Sequence, residues 1–478
     1  MTTPQASPPP SDTLGGWDAV ETDERLRRAE VSPTEVLEAA IARAEAAVAL
    51  GAVVTATYDD ARAARPEGPL AGVPTFIKDL AQIKGVRTTW GSRATGHFVS
   101  KRTDPSLARF FRTGLVSLGK SATPEFGLSA TTEPLGWAPC RNPWDPTRSV
   151  GGSSGGAGCL VAAGVVPVAH GSDGGGSIRI PAASNGLVGL KPSRGRFDMD
   201  GSNLLPVNVA VQGVLSRTVR DQIAFFRALE ATDSPLAPIG EVRRDAERGL
   251  RIGLFVDSPI GTPVDPLHRA AAERAATLCE ELGHHVEAVG CPFQAQVVWD
   301  FFRLWGSLGF LYERAGKLVT GARIEASLLD PWTRRISSYF SSELGAALGA
   351  IWRLRRFTAT YAQVMQRFDV LVCPTLAEPP PRLGHLAPDL PFEEAFDRLQ
   401  RFTPFTPIQN AAGAPALSLP LSRGPTGLPV GVMFSAARGG EARLLSLALA
   451  LEEAAPWPTI ADPQRWSAFA PPPRASRS

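Results

Sequence analysis

The sequence predicts an α/β protein whose central sheet, mixed or mostly parallel, is covered by helices on both faces. Three observations support this prediction. Short β-like runs alternate with helical or small-residue segments up to about residue 196, and long helical stretches with a few strand-like runs follow to about residue 400. Two further core strands and an amphipathic helix then close the chain. Such alternation is typical of sheets that are buried on both faces.

The first helix with a clear start signal is expected after Ser32. The stretch SPTE supplies an N-cap serine, a proline at the first helical position and a glutamate that completes a capping box. The five β-like runs that follow before residue 196 are AVVTATY, VPTFIKD, LVSLGK, VVPVAHG and LVGLKP. Their β-branched residues and turn-like borders favour strands.

Beyond residue 197 the pattern changes to long, aromatic-rich helical stretches. RIGLFVD and DVLVCPTL predict strands, a helix is expected from Pro266 to Gly283, and APALSLPLS, LPVGVMFSA and EARLLSLALALEEAA predict two core strands and a closing helix.

We expect one domain over 14–465, with a core at about 60–200, a variable helical pocket region at about 200–400 and a C-terminal core at about 405–455. Residues 1–13 are expected to be disordered and 466–478 flexible.

Composition narrows the class of protein. The 478 residues carry a net charge of +2, with 44% hydrophobic and 20% charged residues, which predicts a globular protein and no nucleic-acid partner. Five scattered cysteines without a Cys-x-x-Cys pair predict neither disulfides nor a zinc site. No signal peptide or long apolar segment is apparent, so we expect a cytoplasmic protein without a membrane partner, either a monomer or a homodimer.

Two short motifs match known functional patterns, but the neighbouring sequence does not fit either pattern. GLVSLGKS, residues 114–121, matches the phosphate-binding pattern G-x-x-x-x-G-K-[ST] around Lys120, but a helix is predicted before it and a strand within it, the reverse of a phosphate loop. GGSSG, residues 151–155, matches the nucleophile elbow G-x-S-x-G. That elbow requires a buried strand before it, whereas NPWDPTRSV is turn-like, and no downstream histidine is singled out as its partner.

A third interpretation joins two glycine-rich turns and an isolated lysine. Ser153 and Ser154 lie in SVGGSSGGAG, Ser177 lies in HGSDGGGSIRIPA, and Lys78 lies in GVPTFIKDL. Only six of the 49 basic residues are lysines. A serine hydroxyl needs a base to become a nucleophile, and the apolar neighbours of Lys78 would lower its pKa enough to free the amine.

These segments resemble the amidase signature family. The likeness includes the lysine, both serines and their spacing of 75 and 24 residues, and it extends to GLVGLKPSRGR and to NAAGAPALSLPLS near the C-terminus. The resemblance implies the amidase signature fold and no metal or cofactor. It implies that Ser177 is the nucleophile, that Ser153 is a bridging serine held by a cis peptide bond, and that Lys78 is the base. It also implies an oxyanion hole formed by the backbone N–H groups of Gly174, Gly175, Gly176 and Ser177.

Other residues near the turns have expected supporting roles. Asp173 and Arg179 flank the second turn and are expected to brace it through an ion pair or backbone contacts, and Ser154 is either a hydrogen-bonding partner within its loop or a plain turn serine. Because the family usually has a larger residue at Gly174, this turn is expected to be more mobile than average. His170 is expected to be a structural histidine.

The sequence is compatible with several classes of substrate. The signature block looks most like amidases that open the cyclic dimer of 6-aminohexanoate, and like relatives that act on aryl amides or carbamates (urethanes). Four tryptophans of the middle region serve either core packing or the wall of an apolar pocket: Trp299, Trp305, Trp332 and Trp352. The expected partner is therefore a small amide, carbamate or ester substrate. Three other functions are alternatives: the glutaminase subunit of a tRNA-dependent amidotransferase, an inactive scaffold and an ATP-dependent enzyme.

Overall fold

The computed structural model describes residues 16–202, 206–230 and 236–467. The expected disordered segment 1–13 and residues 468–478 of the expected flexible tail lie outside this range. The helices are α1 (Ala19–Arg27), α2 (Pro33–Ala46), α3 (Tyr58–Ala63), α4 (Pro105–Phe111), α5 (Gly155–Ala162), α6 (Arg179–Asn185), α7 (Val219–Leu229), α8 (Pro266–Glu281), α9 (Gln296–Thr320), α10 (Pro331–Ser342), α11 (Leu344–Val364), α12 (Phe392–Phe402), α13 (Pro407–Ala412), α14 (Glu441–Ala454) and α15 (Gln464–Ser467).

Thirteen strands of the described residues form three sheets. They are β1 (Val53–Ala56), β2 (Pro74–Lys78), β3 (Val116–Ser121), β4 (Arg141–Asn142), β5 (Asp145–Ser149), β6 (Val168–Asp173), β7 (Val188–Lys191), β8 (Val211–Ser216), β9 (Arg251–Leu254), β10 (His285–Ala288), β11 (Val370–Pro374), β12 (Ala416–Arg423) and β13 (Pro429–Ser435). The main sheet has the order β10-β9-β11-β13-β12-β7-β8-β6, beside a three-stranded sheet β1-β3-β2 and the hairpin β4-β5.

The main sheet is mixed and lies between two hydrophobic cores. Alternate residues of β11 point to opposite faces, as the pleat of a strand requires. Val370 and Val372 join the core that contains α7, α8 and α14, whereas Leu371 and Cys373 join the core that contains α6, α9 and α11. Helices therefore cover both faces, as the sequence predicts.

Most of the predicted elements are confirmed. The capping box forms at the start of α2, where the Glu35 N–H donates to Ser32 Oγ at 3.2 Å and the Ser32 N–H donates to the Glu35 carboxylate at 2.8 Å. Each of the five early β-like runs contains a strand: β1, β2, β3, β6 and β7. Local turn and capping chemistry was sufficient to predict these elements.

The main sheet is mixed, which is one of the two arrangements that the sequence predicts: its pairings β10-β9 and β9-β11 are parallel, and the pairings from β11 through to β6 are antiparallel. One expectation needs correction. The middle region is not purely helical beyond its two expected strands, since β8 and β10 belong to the main sheet as well. β8 pairs with both β7 and β6, so it contributes to the framework beneath the glycine-rich turn.

The small sheet is fastened to the edge of the main sheet. Thr75 Oγ1 in β2 donates to the carbonyl of Val168 in β6 at 3.0 Å, and the N–H of Lys78 donates to His170 at 3.3 Å. These contacts place the end of β2 beside the end of β6, where the second glycine-rich turn begins. Among the described helices, none is long and apolar enough to span a bilayer.

Candidate active site

Lys78 is the last residue of β2 and its side chain is completely buried. Its Nζ lies 2.8 Å from Ser153 Oγ, 2.9 Å from Ser172 Oγ and 3.3 Å from the Ser172 carbonyl oxygen. An ammonium group has three N–H donors, so these three oxygens satisfy it. A neutral amine in the same place can accept the Ser153 proton while it donates to Ser172.

Burial lowers the pKa of Lys78 to about 7, against the opposing pull of the negative charge of Asp173. Removing an ammonium from water disfavours its charged form, and the charge of Asp173 only partly compensates. Lys78 therefore exchanges its proton near neutral pH, which is the property that a general base requires.

Ser153 and Ser154 lie in the loop that leads into α5. The Gly152–Ser153 peptide bond is cis, as the resemblance implies. The Ser154 hydroxyl donates to the Ser172 carbonyl at 3.1 Å and accepts from the Ser172 N–H at 3.2 Å. The expected hydrogen bond of Ser154 within its own loop is therefore wrong: this side chain joins the loop to the end of β6.

Ser177 lies at the end of the second glycine-rich turn, between β6 and α6. Its carbonyl accepts a hydrogen bond from the Ser154 N–H at 3.2 Å, which joins the two turns. Ser177 is 6% exposed and Ser153 is 2% exposed, so Ser177 is the more accessible of the two. Within the described residues, the Ser177 hydroxyl has no hydrogen-bond partner, so a hydrogen bond joins Lys78 to Ser153 but none joins Ser153 to Ser177.

The carboxylate of Asp173 organises the backbone of this turn. It accepts hydrogen bonds from the N–H groups of Gly176 at 2.7 Å and Ile178 at 3.2 Å. The expectation that Gly176 presents its N–H to a substrate is therefore wrong, because Asp173 already accepts from it. Gly174, Gly175 and Ser177 remain as the candidate backbone donors.

Asp173 also forms a buried ion pair with Arg179. The Arg179 Nε lies 3.0 Å from the carboxylate, and neither side chain is exposed. Burial alone would raise the pKa of Asp173, but the adjacent guanidinium and its hydrogen bonds hold it below its ordinary value. Asn410 on α13 donates to Asp173 as well, at 2.9 Å. The ion pair thus braces the turn, as expected from the two charged residues that flank it.

Sequence reasoning missed three polar residues around the site: Ser172, Thr406 and Asn410. Ser172 could have been found, because it lies two residues after His170 in β6, and alternate residues of a strand share a face. Thr406 donates to the Gly175 carbonyl at 2.7 Å. Thr406 and Asn410 lie more than 200 residues further along the chain, so no local pattern connected them to this turn.

His170 is a structural residue, as predicted. Its Nδ1 accepts from the Lys78 N–H, and its Nε2 lies 2.7 Å from the side-chain oxygen of Gln212. Since Nδ1 accepts, a neutral ring donates from Nε2. Burial lowers the pKa of His170 to about 3, so the ring is neutral at physiological pH and both nitrogens are engaged.

The phosphate-loop-like motif and the elbow-like motif do not have the functions that their patterns suggest. Lys120 is buried in β3, 3.1 Å from the Asp79 carboxylate, and helix α4 precedes this strand. Its ammonium is therefore paired inside the protein rather than presented to a phosphate. In the elbow-like motif, the strand β5 belongs to a two-stranded hairpin, and the partner of Ser153 is a lysine instead of a histidine.

The four tryptophans differ in their surroundings. Trp305 of α9 reaches the glycine-rich turn, and Trp332 is buried with its indole N–H donating to the Leu128 carbonyl at 2.9 Å. Trp299 is half-buried and packs against the core beside Phe302. Trp352 is 59% exposed and lines a cleft between α9 and α11 whose described lining contains none of the site residues. The pocket-wall interpretation is therefore wrong for Trp352.

A family model for the amidases matches residues 32–445. The chain belongs to the amidase signature family. A putative amidase AmiC from Mycobacterium leprae is 43% identical over 460 residues, which cover 94% of this chain and 97% of the relative. The 6-aminohexanoate-cyclic-dimer hydrolase of Pseudomonas sp. strain NK87 is 35% identical and covers 94% of this chain and 97% of its own length. As a member, the chain is an amidohydrolase that acts on carbon–nitrogen bonds.

Solved amidase structures superpose along nearly the whole chain. A 6-aminohexanoate cyclic dimer hydrolase has a TM-score of 0.85 at 31% identity, covering 94% of this chain and 98% of its own, and a bacterial aryl acylamidase has a TM-score of 0.78 at 28% identity, covering 94% and 97%. A glutamyl-tRNA(Gln) amidotransferase component from Thermotoga maritima has a TM-score of 0.73 at 23% identity, covering 94% and 99%. This last likeness concerns the fold alone.

Proposed function

We propose that this amidase cleaves small carboxamides through an acyl-enzyme on Ser177, with Ser153 as the proton bridge and Lys78 as the base. The single observation that carries the proposal is the 2.8 Å contact between Lys78 Nζ and Ser153 Oγ in a fully buried setting. A lysine whose pKa is about 7 is partly neutral at physiological pH, and a neutral amine accepts a hydroxyl proton.

The first half of the reaction forms the acyl-enzyme. Ser177 Oγ attacks the carbonyl carbon as its proton passes to Ser153, whose own proton passes to Lys78. The carbonyl oxygen becomes an oxyanion, and the N–H groups of Gly174, Gly175 and Ser177 are the donors that we assign to it. The carbon–nitrogen bond then breaks, and the amine leaves with the proton that returns along the same relay.

The second half releases the acid. A water molecule attacks the acyl carbon and gives its proton to the relay. The bond between the acyl carbon and Ser177 Oγ then breaks, and the relay returns the proton to Ser177, so that the enzyme is again in its starting state. The relay requires a Ser153–Ser177 hydrogen bond that is absent from the described contacts. Catalytic hydrogen bonds frequently tighten only once substrate is bound, so we assign its formation to the substrate complex.

The proposed substrates are small amides with apolar or aromatic groups, and carbamates and esters that present the same carbonyl. Two observations support this class. The relatives include hydrolases whose names specify the 6-aminohexanoate cyclic dimer and aryl amides, and two aromatic rings of α9 pack on the turn that carries Ser177. No charged side chain is needed to bind such groups.

Mass spectrometry of matched 4-nitroanilide, 4-nitrophenyl ester, N-aryl carbamate and glutamine substrates tests the proposal. We expect amine release from the anilide, and Ser153→Ala and Ser177→Ala should each abolish it. Because Ser338→Ala removes an exposed hydroxyl of α10 that has no part in the relay, it is the matched control and should keep the wild-type activity. Ammonia from glutamine as the sole product would contradict the proposal and favour the amidotransferase alternative.

A further inference from the structure

Two aromatic rings of α9 cover the glycine-rich turn beside Ser177. Phe301 and Trp305 lie one helical turn apart and are stacked, with ring centroids separated by 5.6 Å and an interplanar angle of 22°. A Cβ atom at Gly174 would lie 3.1 Å from the Trp305 ring, and one at Gly175 would lie 2.8 Å from the Phe301 ring. The rings therefore occupy the space that side chains at these two positions would need.

The three glycines of the turn are restricted by different features of the structure. Gly176 has a φ of +128°, which side chains rarely tolerate, so its backbone itself requires glycine. Gly174 and Gly175 are outside the positive-φ region. The atoms nearest to a Cβ at either position belong to the α9 rings, so a side chain at Gly174 would compete with Trp305 for the same volume. Although we expected a mobile turn from the glycine at 174, the turn is packed against these rings.

Trp305 also reaches the opposite side of the site. Its indole N–H donates to the Leu128 carbonyl at 3.4 Å, the same carbonyl that accepts from Trp332. The preceding residue, Gly127, lies against Ser153, since a Cβ at Gly127 would be 3.1 Å from Ser153 Oγ. The half-buried indole therefore spans from the turn that carries Ser177 to the segment beside Ser153.

We propose that Trp305 is a specificity-determining residue that limits the width of the substrate group beside Ser177. The inference rests on the proposed role of Ser177 as nucleophile. Flat aryl groups and unbranched chains can lie along an indole face, whereas a branched group needs the space that the ring occupies between Gly174 and Leu128. The site is thus selective for narrow acyl or amine groups, and this selectivity depends on one side chain.

The first experiment measures kcat/KM for four anilides with the wild type and Trp305→Ala. One pair differs in the acyl group, the 4-nitroanilides of hexanoic and pivalic acids, and one pair differs in the amine, the hexanoic amides of aniline and 2,6-diisopropylaniline. For each pair we take the ratio of kcat/KM for the branched substrate to kcat/KM for the narrow one. Comparing this ratio between the two enzymes cancels the difference in intrinsic reactivity between the substrates. We expect the ratio of at least one pair to rise by about tenfold or more in Trp305→Ala, the range in which apolar pockets discriminate by a few methyl groups.

The matched control is Trp299→Ala, which truncates a tryptophan of the same helix that packs beside Phe302. Its ratios should remain within about twofold of the wild-type values. Unchanged ratios in Trp305→Ala, or equal changes in Trp299→Ala, would overturn the inference. If Ser177→Ala retains full turnover, the failure belongs to the proposed nucleophile instead.

A double-mutant cycle tests the shared volume without any turnover. Gly174→Ile should lower the midpoint of thermal unfolding in the wild-type background, since the added side chain collides with the indole. In the Trp305→Ala background the same substitution should lower it much less, because the cavity accepts the new side chain. Equal shifts in the two backgrounds would show that Gly174 and Trp305 do not share a volume and would contradict the proposal.

Discussion

Lys78 Nζ lies 2.8 Å from Ser153 Oγ, and both side chains are buried. The two residues come from different parts of the fold, one from the end of a strand in the small sheet and the other from the loop that precedes α5. A hydroxyl and an amine at this distance form a hydrogen bond along which a proton can transfer, and burial lowers the pKa of this amine to about 7. The proposed catalysis depends on this contact and on the carboxylate that organises the adjacent turn.

The activity should depend on pH through Lys78. Because the pKa of Lys78 is lowered to about 7, the ammonium predominates below that pH and cannot accept a proton. The value of kcat/KM should therefore rise with pH through about 7 and level off above it, since the acid limb reports the free enzyme. Steady-state rates with a neutral anilide over buffers from mildly acidic to mildly alkaline would measure the limb, and a flat profile would contradict a lysine base.

His170 should not contribute to this titration. Its pKa of about 3 lies far below the acid limb, so His170→Ala should leave the limb where it is. The substitution should lower the unfolding midpoint, because it removes a buried ring that packs on Phe110 and leaves the Lys78 N–H without its acceptor. Loss of the acid limb in this variant would assign the base to the histidine.

Removal of the Lys78 amine should slow the chemical step. Lys78→Ala should lower kcat by about 10²–10⁴, the usual contribution of a general base. The exposed Lys84 is the matched control, and Lys84→Ala should keep the wild-type rate. Single-turnover measurements would show whether acylation is the step that slows. A Lys78→Ala enzyme with more than about a tenth of the wild-type rate would contradict the assignment.

The buried ion pair of Asp173 and Arg179 should contribute strongly to stability. Asp173→Asn leaves the Arg179 guanidinium without a counter-charge in a fully buried site, so it should lower the free energy of unfolding by about 3–5 kcal/mol. Chemical denaturation of the two proteins measures the difference. The exposed pair between Glu38 and Arg62 supplies the control, and Glu38→Gln should leave the denaturation midpoint unchanged. Equal effects of the two substitutions would contradict the bracing role of Asp173.

The sequence was most informative where local chemistry decides the outcome. Ser32 and Glu35 indicate the start of α2, and the apolar run before Lys78 predicts both a strand and a buried amine. The spacing of Lys78, Ser153 and Ser177 was sufficient to suggest the family to which the chain belongs. Each of these residues lies within a short segment whose own pattern is informative before the chain folds.

The remaining features depend on contacts between distant segments. Nothing near Asp173 in the sequence indicates Asn410, and nothing near Gly174 indicates Trp305, because α9 and α13 reach the turn only through the tertiary fold. Gly176 was assigned as a donor to substrate for a related reason. Its N–H is used by Asp173, three residues away, in a turn geometry that composition does not specify.

The most direct test of the central claim is the mass of the enzyme during turnover of a slow 4-nitrophenyl ester or carbamate. We expect that the wild-type protein gains the mass of the acyl or carbamoyl group, that peptide mapping places it on Ser177, and that Ser177→Ala gains none. An adduct on Ser153, or an unchanged adduct in Ser177→Ala, would contradict the assignment of Ser177 as the nucleophile.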